Sequence, residues 1–134
     1  MAIELDHVIV PALDQRASAK MLGTLLGVPW AETGLGPFSP VYVSDSLTLD
    51  FIDDAQRPLP IEHYCFRVSD KEFDEILGRI KAAGIQYRSA PGGPNDMQVS
   101  TAFGGRLVYW SEPDGHAWEI LTVSYARQPS VDRN

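Results

Sequence analysis

The stretch IEHYCFRVSD, residues 61–70, has the same layout as LDHVIVPALD, residues 5–14. Each stretch carries one histidine, His63 or His7, third in a short apolar segment that is typical of a strand. An aspartate follows seven residues after each histidine. The repetition predicts two related modules in one chain, offset by 56 residues.

The residues after each aspartate follow helical periodicity. Asp14 and Asp70 are predicted N-caps, because a short carboxylate accepts hydrogen bonds from the first helical turn. Gly27 and Gly84 stand where the two helices are expected to end. Three short strands are then predicted after each helix, at 30–33, 41–43 and 47–52 in the first module and at 86–89, 106–110 and 116–123 in the second.

The predicted boundaries are a single domain over 1–124 made of modules at about 3–52 and 61–123, a linker at 53–60, and a C-terminal tail at 125–134. The second module contains a long loop, residues 90–105, rich in Gly, Pro and Asn. A loop of this length is usually functional or disordered.

Composition narrows the class of partner. The chain has 134 residues, a net charge of −7 and a single cysteine. No apolar run approaches the ~20 residues that span a bilayer, and no basic segment precedes the N-terminal apolar stretch, so neither a membrane span nor a signal peptide is expected. Without a Lys/Arg cluster, nucleic acid and anionic membranes are not expected as partners. We therefore expect a cytoplasmic protein that acts on a small molecule.

Side chains alternate across a strand, which predicts one apolar sheet face under the helices and a second face with isolated titratable groups. On the second face, each module contributes one histidine from its first strand and one carboxylate from its last: His7 and Asp50, then His63 and Glu119. Polar groups among apolar neighbours are typical of a cavity lining. The predicted fold is α+β: two tandem βαβββ modules whose curved mixed sheets form a cavity, with the helices on the outer face.

The paired βαβββ pattern, the histidine on each first strand and the ending EPDGHAWEI, residues 112–120, resemble the vicinal oxygen chelate superfamily. That group includes glyoxalase I, bleomycin-resistance proteins, extradiol dioxygenases, methylmalonyl-CoA epimerase and fosfomycin-resistance enzymes. The resemblance covers roughly residues 3–124. It is more specific for the fold than for the activity, because one scaffold hosts many functions.

In metal-using members of that superfamily, the ligands come from the first and last strands of each module. Carried over by position, the resemblance implies a metal site of His7, His63, Glu119 and Asp50. Such ligands bind first-row divalent ions, with Fe²⁺ favoured and Mn, Co, Ni or Zn as alternatives. Asp50 replaces the Glu or Gln usual in the lyase and epimerase branches and is one methylene shorter. The triad of His7, His63 and Glu119 is therefore the alternative ligand set.

The segment VYWSEPDGHAWE, residues 108–119, resembles the C-terminal signature of the extradiol dioxygenases. In that signature a tyrosine lies ten residues before the ligand glutamate, a place that Tyr109 fills. The resemblance thus implies Tyr109 and Glu119 as catalytic residues, with Tyr109 orienting or protonating the substrate. The signature also has a histidine several residues upstream, where this chain has STA at 100–102.

Four further side chains are candidates for substrate binding: Arg67, Cys65, Trp110 and Phe103. Arg67 either holds a substrate carboxylate or pairs with an acidic residue, and Cys65 is expected to be a small buried hydrophobe. Trp110 alternates with the preceding tyrosine, so one of the two faces the cavity. Phe103 lies on the long loop, as a lid or as an anchor for that loop. His116 is expected at the surface or at a sheet edge.

Three functions stay open at this point. The favoured one is a metal-dependent enzyme of the extradiol-dioxygenase type, acting on a substrate with two neighbouring oxygens. A glyoxalase- or epimerase-like lyase or isomerase is the second, and a metal-free protein that sequesters a drug or metabolite is the third. Proteins of this fold and length commonly pair, so a homodimer is expected.

Overall fold

The computed structural model describes residues 3–126, in two compact units that divide between Ile61 and Glu62. The first unit contains β1 (His7–Ala12), α1 (Gln15–Leu26), β2 (Ser39–Tyr42) and β3 (Thr48–Asp53). The second contains β4 (His63–Arg67), α2 (Asp70–Ala82), β5 (Tyr87–Arg88), β6 (Leu107–Ser111) and β7 (Ala117–Leu121). The predicted α+β class with two mixed sheets is confirmed. Residues 127–134 of the predicted tail lie outside the described residues.

The first sheet has three strands in the order β1-β3-β2, with β1 parallel and β2 antiparallel to β3. Its core face is formed by fully buried side chains that include Val10, Val41 and Phe51. Helix α1 packs against β2 and β3 and buries Leu22 and Leu25. Alternation along the strands therefore leaves His7 and Asp50 on the other face.

The strand predicted at 30–33 is wrong. Trp30 forms only an isolated bridge to Val41, and the chain leaves the sheet after the N–H of Ala31 bonds to the carbonyl of Pro40. The Trp30 side chain packs so closely on Gly23 of α1 that a Cβ at Gly23 would lie 2.5 Å from its ring. The indole is held by the helix rather than by a strand ladder, so the first sheet has three strands instead of four.

The second sheet has four strands in the order β4-β7-β6-β5, with β4 parallel to β7 and the other pairs antiparallel. Its apolar face carries side chains that are at most 1% exposed: Val108, Trp110, Trp118 and Ile120. Helix α2 buries its own apolar stripe, Phe73, Ile76 and Ile80. Arg106, just before β6, contacts this helix. Its guanidinium lies 4.4 Å from the Phe73 ring centroid and pairs with Asp70 and Asp74.

Helix capping follows the sequence in α1 and differs by one residue in α2. Asp14 caps α1 by accepting from the N–H of Ala17, and Gly27 ends it with φ of 72°. In α2 the N-cap is Ser69 rather than Asp70. Ser69 and Glu72 form a capping box, in which each side chain accepts from the other's backbone N–H, and this satisfies two free donors at once.

The long loop at 90–105 is tied to the second sheet. The N–H of Met97 donates to the carbonyl of Tyr87, and the N–H of Tyr87 lies 3.4 Å from the Met97 sulfur. Ser100 then forms a bridge to Leu107 at the start of β6. Within residues 3–126, no helix is long and apolar enough to cross a bilayer.

Candidate functional site

The two units place their candidate ligands in the same register. In each unit the first strand runs parallel to the last, and the carboxylate lies opposite the residue two positions after the histidine. Asp50 lies opposite Ile9, and Glu119 lies opposite Cys65. Since residues two apart in a strand point to one face, each histidine and its carboxylate share a sheet face.

In the second unit this register brings His63 and Glu119 together. Nε2 of His63 lies 3.1 Å from Oε1 of Glu119, and Nδ1 of His63 lies 2.8 Å from the carbonyl oxygen of Ala117. A carbonyl only accepts, so Nδ1 carries a hydrogen and Nε2 is the nitrogen presented to Glu119. The Glu119 side chain is fully buried, whereas that of His63 is 48% exposed.

Tyr125 completes the surroundings of Glu119. Its hydroxyl lies 2.8 Å from Oε1 and 3.0 Å from Oε2 of Glu119 and donates to the carboxylate. The Tyr109 hydroxyl lies 3.5 Å from that of Tyr125, and the Phe103 ring lies 5.2 Å from the Tyr125 ring. Burial raises the pKa of Tyr125 and of Tyr109, so both phenols keep their protons.

A cavity of about 460 Å³ opens beside this group. It is lined by His63, Cys65, Arg67, Leu121, Ser124, Tyr125 and Ala126. Its volume falls in the range of small-molecule sites, and its lining combines apolar side chains with a few polar groups.

In the first unit, His7 and Asp50 are not joined. Nδ1 of His7 lies 2.7 Å from Oδ2 of the exposed Asp6, whose hydrogen bond raises the pKa of His7. Desolvation raises the pKa of Asp50, and the charge of His7 lowers it in part. Among the described residues, no hydrogen bond or ion pair links the two. Both line a second cavity, of about 440 Å³, with Ile9, Phe38 and Tyr42.

A scan against protein-family models finds no match for this chain. Among solved structures, "Oxidase ChaP-H1" is 45% identical, with a TM-score of 0.85 over 92% of this chain and 98% of that chain. "Oxidase ChaP-H2" is 38% identical, with a TM-score of 0.86 over 93% and 97%. A glyoxalase/dioxygenase from Nostoc punctiforme is 21% identical, with a TM-score of 0.65 over 90% and 91%, and shares the fold. This chain therefore belongs to the same family as these two proteins named oxidases, and its fold is of the glyoxalase type.

The site residues predicted in the second unit lie on two different faces of its sheet. His63, Glu119, Tyr109 and Cys65 share one face of the second sheet, because Glu119 pairs with Tyr109 on one side and with Cys65 on the other. Trp110 lies on the opposite face, only 1% exposed, so it does not line the cavity. Strand alternation predicted that one of these two aromatic residues shares the face of His63, and that residue is Tyr109.

The expected burial of Cys65 is wrong, because this residue is exposed on β4, an edge strand of the second sheet. Its pKa is raised to about 12 by desolvation on its inner side, by the charge of Glu119 and by a hydrogen bond to Glu119. The thiol therefore stays protonated at neutral pH and is a further hydrogen-bond donor to Glu119.

The expected surface position of His116 is also wrong. This side chain is fully buried, and its Nδ1 accepts a hydrogen bond of 3.0 Å from the N–H of Glu62. Its ring lies edge-on to those of Tyr64 and Trp118, with centroids 6.1 Å away. His116 thus supports the apolar side of the second sheet.

Sequence reasoning missed Tyr125, which it assigned to the tail. The signal for this residue is weak: a lone aromatic residue six positions after the carboxylate of the last strand. Only the path of the chain after β7 returns its hydroxyl to Glu119.

The donor atoms fit in kind the divalent ion that the superfamily resemblance implies. Each histidine has Nδ1 held by an oxygen, which leaves Nε2 for a metal, and such second partners are typical of metal-binding histidines. A carboxylate lies on the same face in each unit. Within residues 3–126, no group of three or more His, Cys, Asp or Glu side chains is close enough to form a ligand set.

Proposed function

We propose that this chain is a metal-dependent oxidase or oxygenase that acts on a small organic substrate with two neighbouring oxygens. Extradiol-type dioxygenation is the reaction class that we favour. The observation that carries the proposal is the His63–Glu119 pair, 3.1 Å apart, beside a cavity lined by Tyr125, whose hydroxyl lies 3.5 Å from that of Tyr109. The 45% identity with a protein named an oxidase supports the redox class over the lyase class.

We propose His7, His63 and Glu119 as the metal ligands, with Asp50 as a fourth candidate and Fe²⁺ as the favoured ion. Such an ion would supply Lewis-acid and O₂ chemistry for a substrate with two neighbouring oxygens. The Ala117 carbonyl holds the Nδ1 proton of His63, so the Nε2 lone pair is available to the ion.

Two tyrosines of the second unit, Tyr125 and Tyr109, would orient the ligand carboxylate and donate a proton to the substrate. Tyr125 donates to both oxygens of Glu119, which keeps this carboxylate in one position although it is fully buried. Tyr109 keeps its proton because burial raises its pKa, so its hydroxyl can donate to a substrate oxygen and protonate it as charge develops. We propose that the chain works as a cytoplasmic homodimer.

The test is elemental analysis of untagged protein purified without chelator, beside His63→Ala. Glu75→Gln, an exposed change on α2, is the control for handling. We expect near one equivalent of a first-row metal in the protein and the control, and loss of that metal in His63→Ala. No metal in any of the three, even after incubation with Fe(II), Mn, Ni or Zn, would contradict the proposal.

Oxygen uptake separates the reaction classes. After anaerobic loading with Fe(II), a panel of catechols and 2-oxo compounds is added together with O₂. An oxidase or oxygenase consumes O₂ with the substrate, whereas a lyase or isomerase converts substrate with no O₂ uptake. A metal-free sequestering protein binds ligand equally well with and without the His63→Ala change.

A further inference from the structure

Arg67 stands out among the residues that line the second unit's cavity. Among the described residues, it is the only lysine or arginine in that lining. Among residues 3–126 its side chain has no hydrogen-bond or ion-pair partner, although the chain has 18 acidic and 11 basic residues. By contrast, Arg106 pairs with two aspartates and Arg16 pairs with Glu32. In an acidic chain, an unpaired guanidinium inside a cavity is a binding group for an external anion.

The strand register sets the position of Arg67 relative to Glu119, the proposed metal ligand. Arg67 lies two residues after Cys65 on the same face of β4, opposite Leu121, while Cys65 lies opposite Glu119. Two positions along a strand are ~6.6 Å apart. The strand position of Arg67 is therefore offset by roughly one ring's length from that of Cys65, which lies opposite Glu119.

The rest of the lining specifies the anion further. Leu121, Tyr125 and Ala126 present apolar surface, and Ser124 presents a hydroxyl. A single cation matches a singly charged group better than a phosphate dianion, and the planar guanidinium fork matches both oxygens of a carboxylate.

We propose that Arg67 binds a carboxylate of the substrate, and that the substrate is a ring compound with its two reacting oxygens at the end opposite its acid group. The position of those oxygens rests on the proposed function, whereas the carboxylate contact rests on Arg67 alone. Arg67 is thus a specificity-determining residue.

The test compares 3,4-dihydroxybenzoate with its methyl ester, which keeps both ring oxygens and loses the charge. Both probes are titrated anaerobically into the ¹⁵N-labelled protein as purified. The Nε–Hε signal of Arg67 is followed by NMR, and dissociation constants are taken from the shifts. The variants are Arg67→Met, Arg67→Lys and Lys71→Met, the last removing the same charge from an exposed position on α2 outside the cavity lining.

We expect the acid to bind about tenfold tighter than the ester and to move the Arg67 signal. The preference for the acid should vanish in Arg67→Met, persist in reduced form in Arg67→Lys, and stay unchanged in Lys71→Met. Equal binding of acid and ester, a preference that survives Arg67→Met, or no shift at millimolar acid would each overturn the proposal. Because Arg67 is exposed, the variants are expected to unfold at the wild-type temperature, which a thermal melt checks.

The two proposals fail in different ways. If the acid is preferred through Arg67 but no metal binds, the carboxylate site stands and the metal-dependent function falls. If metal binds and is lost in His63→Ala, but acid and ester bind alike, the function stands and the assignment of Arg67 is wrong.

Discussion

The two units set the same pair of groups in the same strand register, yet only the second brings that pair into contact. His63 and Glu119 are 3.1 Å apart, while His7 bonds to its neighbour Asp6 and reaches Asp50 only through its charge. Glutamate is longer than aspartate by one methylene, so equal registers give unequal reach. A repeated backbone therefore does not imply a repeated site.

The surroundings of the two carboxylates differ as well. Glu119 is fully buried and receives hydrogen bonds from Tyr125, whereas Asp50 is only half-buried. A buried carboxylate needs donors to offset its lost hydration, and a half-buried one keeps water for that purpose. The second unit thus supplies hydrogen-bond donors to its buried carboxylate, whereas the carboxylate of the first unit relies on partial exposure to water.

The largest difference is expected between Glu119→Gln and Asp50→Asn. Glu119→Gln removes a charged ligand with its contact to His63, so we expect metal affinity to fall about 100-fold or more. Asp50→Asn should lower it less than about tenfold, because within residues 3–126 no hydrogen bond or ion pair joins Asp50 to His7. Competition with a chromogenic chelator measures both. Equal losses would show that the two units contribute alike.

The next effect is expected at the hydroxyl that holds Glu119. Tyr125→Phe keeps the ring against Phe103 and removes both hydrogen bonds to the carboxylate. We expect metal affinity to fall about 10- to 100-fold, as for other partners of metal ligands. Tyr42→Phe, in the lining of the first unit's cavity, is the matched control and should leave affinity unchanged. If Tyr125→Phe also binds metal normally, Tyr125 does not position Glu119.

A second carboxylate of the second unit, Glu112, lacks the donors that Glu119 has. Its Oε2 accepts from the Trp118 indole N–H, but Oε1 is buried with no hydrogen-bond partner among the described residues. Burial raises the pKa of Glu112 to about 7 from an ordinary value near 4.5. Between these values the unfolded chain is ionised and the folded chain protonated, so the free energy of unfolding should fall as pH rises.

We expect this loss to be on the order of 2–3 kcal/mol between pH 4.5 and 7. Glu112→Gln should remove that part of the pH dependence, and the exposed change Glu75→Gln should not. Urea unfolding at several pH values measures the slopes. Parallel curves for wild type and Glu112→Gln would mean that Glu112 ionises normally in the folded protein.

The smallest effects are expected from one glycine in each helix. A Cβ on Gly23 of α1 would lie 2.5 Å from the Trp30 ring, so Gly23→Ala should lower the free energy of unfolding by about 1–3 kcal/mol. A Cβ on Gly78 of α2 meets nothing within 4 Å, so Gly78→Ala should raise it by about 0.5–1 kcal/mol. The same substitution thus has opposite signs in the two units. Two stabilising changes would show that Trp30 can move away from α1.

Much of the fold was predictable because its signals are local. Apolar spacing placed both helices, and the small set of good capping residues placed their ends to within one residue. The strand predicted at Trp30 failed because a tertiary contact with Gly23 decides the path of the chain there. For the site, alternation put His63 and Glu119 on one face, but it did not distinguish Tyr109 from Trp110.

The sequence by itself determined the duplication, the strand–helix order of each unit and the placing of one histidine and one carboxylate per sheet face. These features follow from apolar periodicity, which acts over a few residues, and from the recurrence of the same motif 56 residues later. Only the tertiary structure decided that Glu119 is fully buried, that the Tyr125 hydroxyl bonds to it, and that Arg67 lines the cavity with no acidic partner among residues 3–126. Burial and side-chain pairing depend on contacts between segments that are distant in the sequence, and local sequence patterns do not predict those contacts.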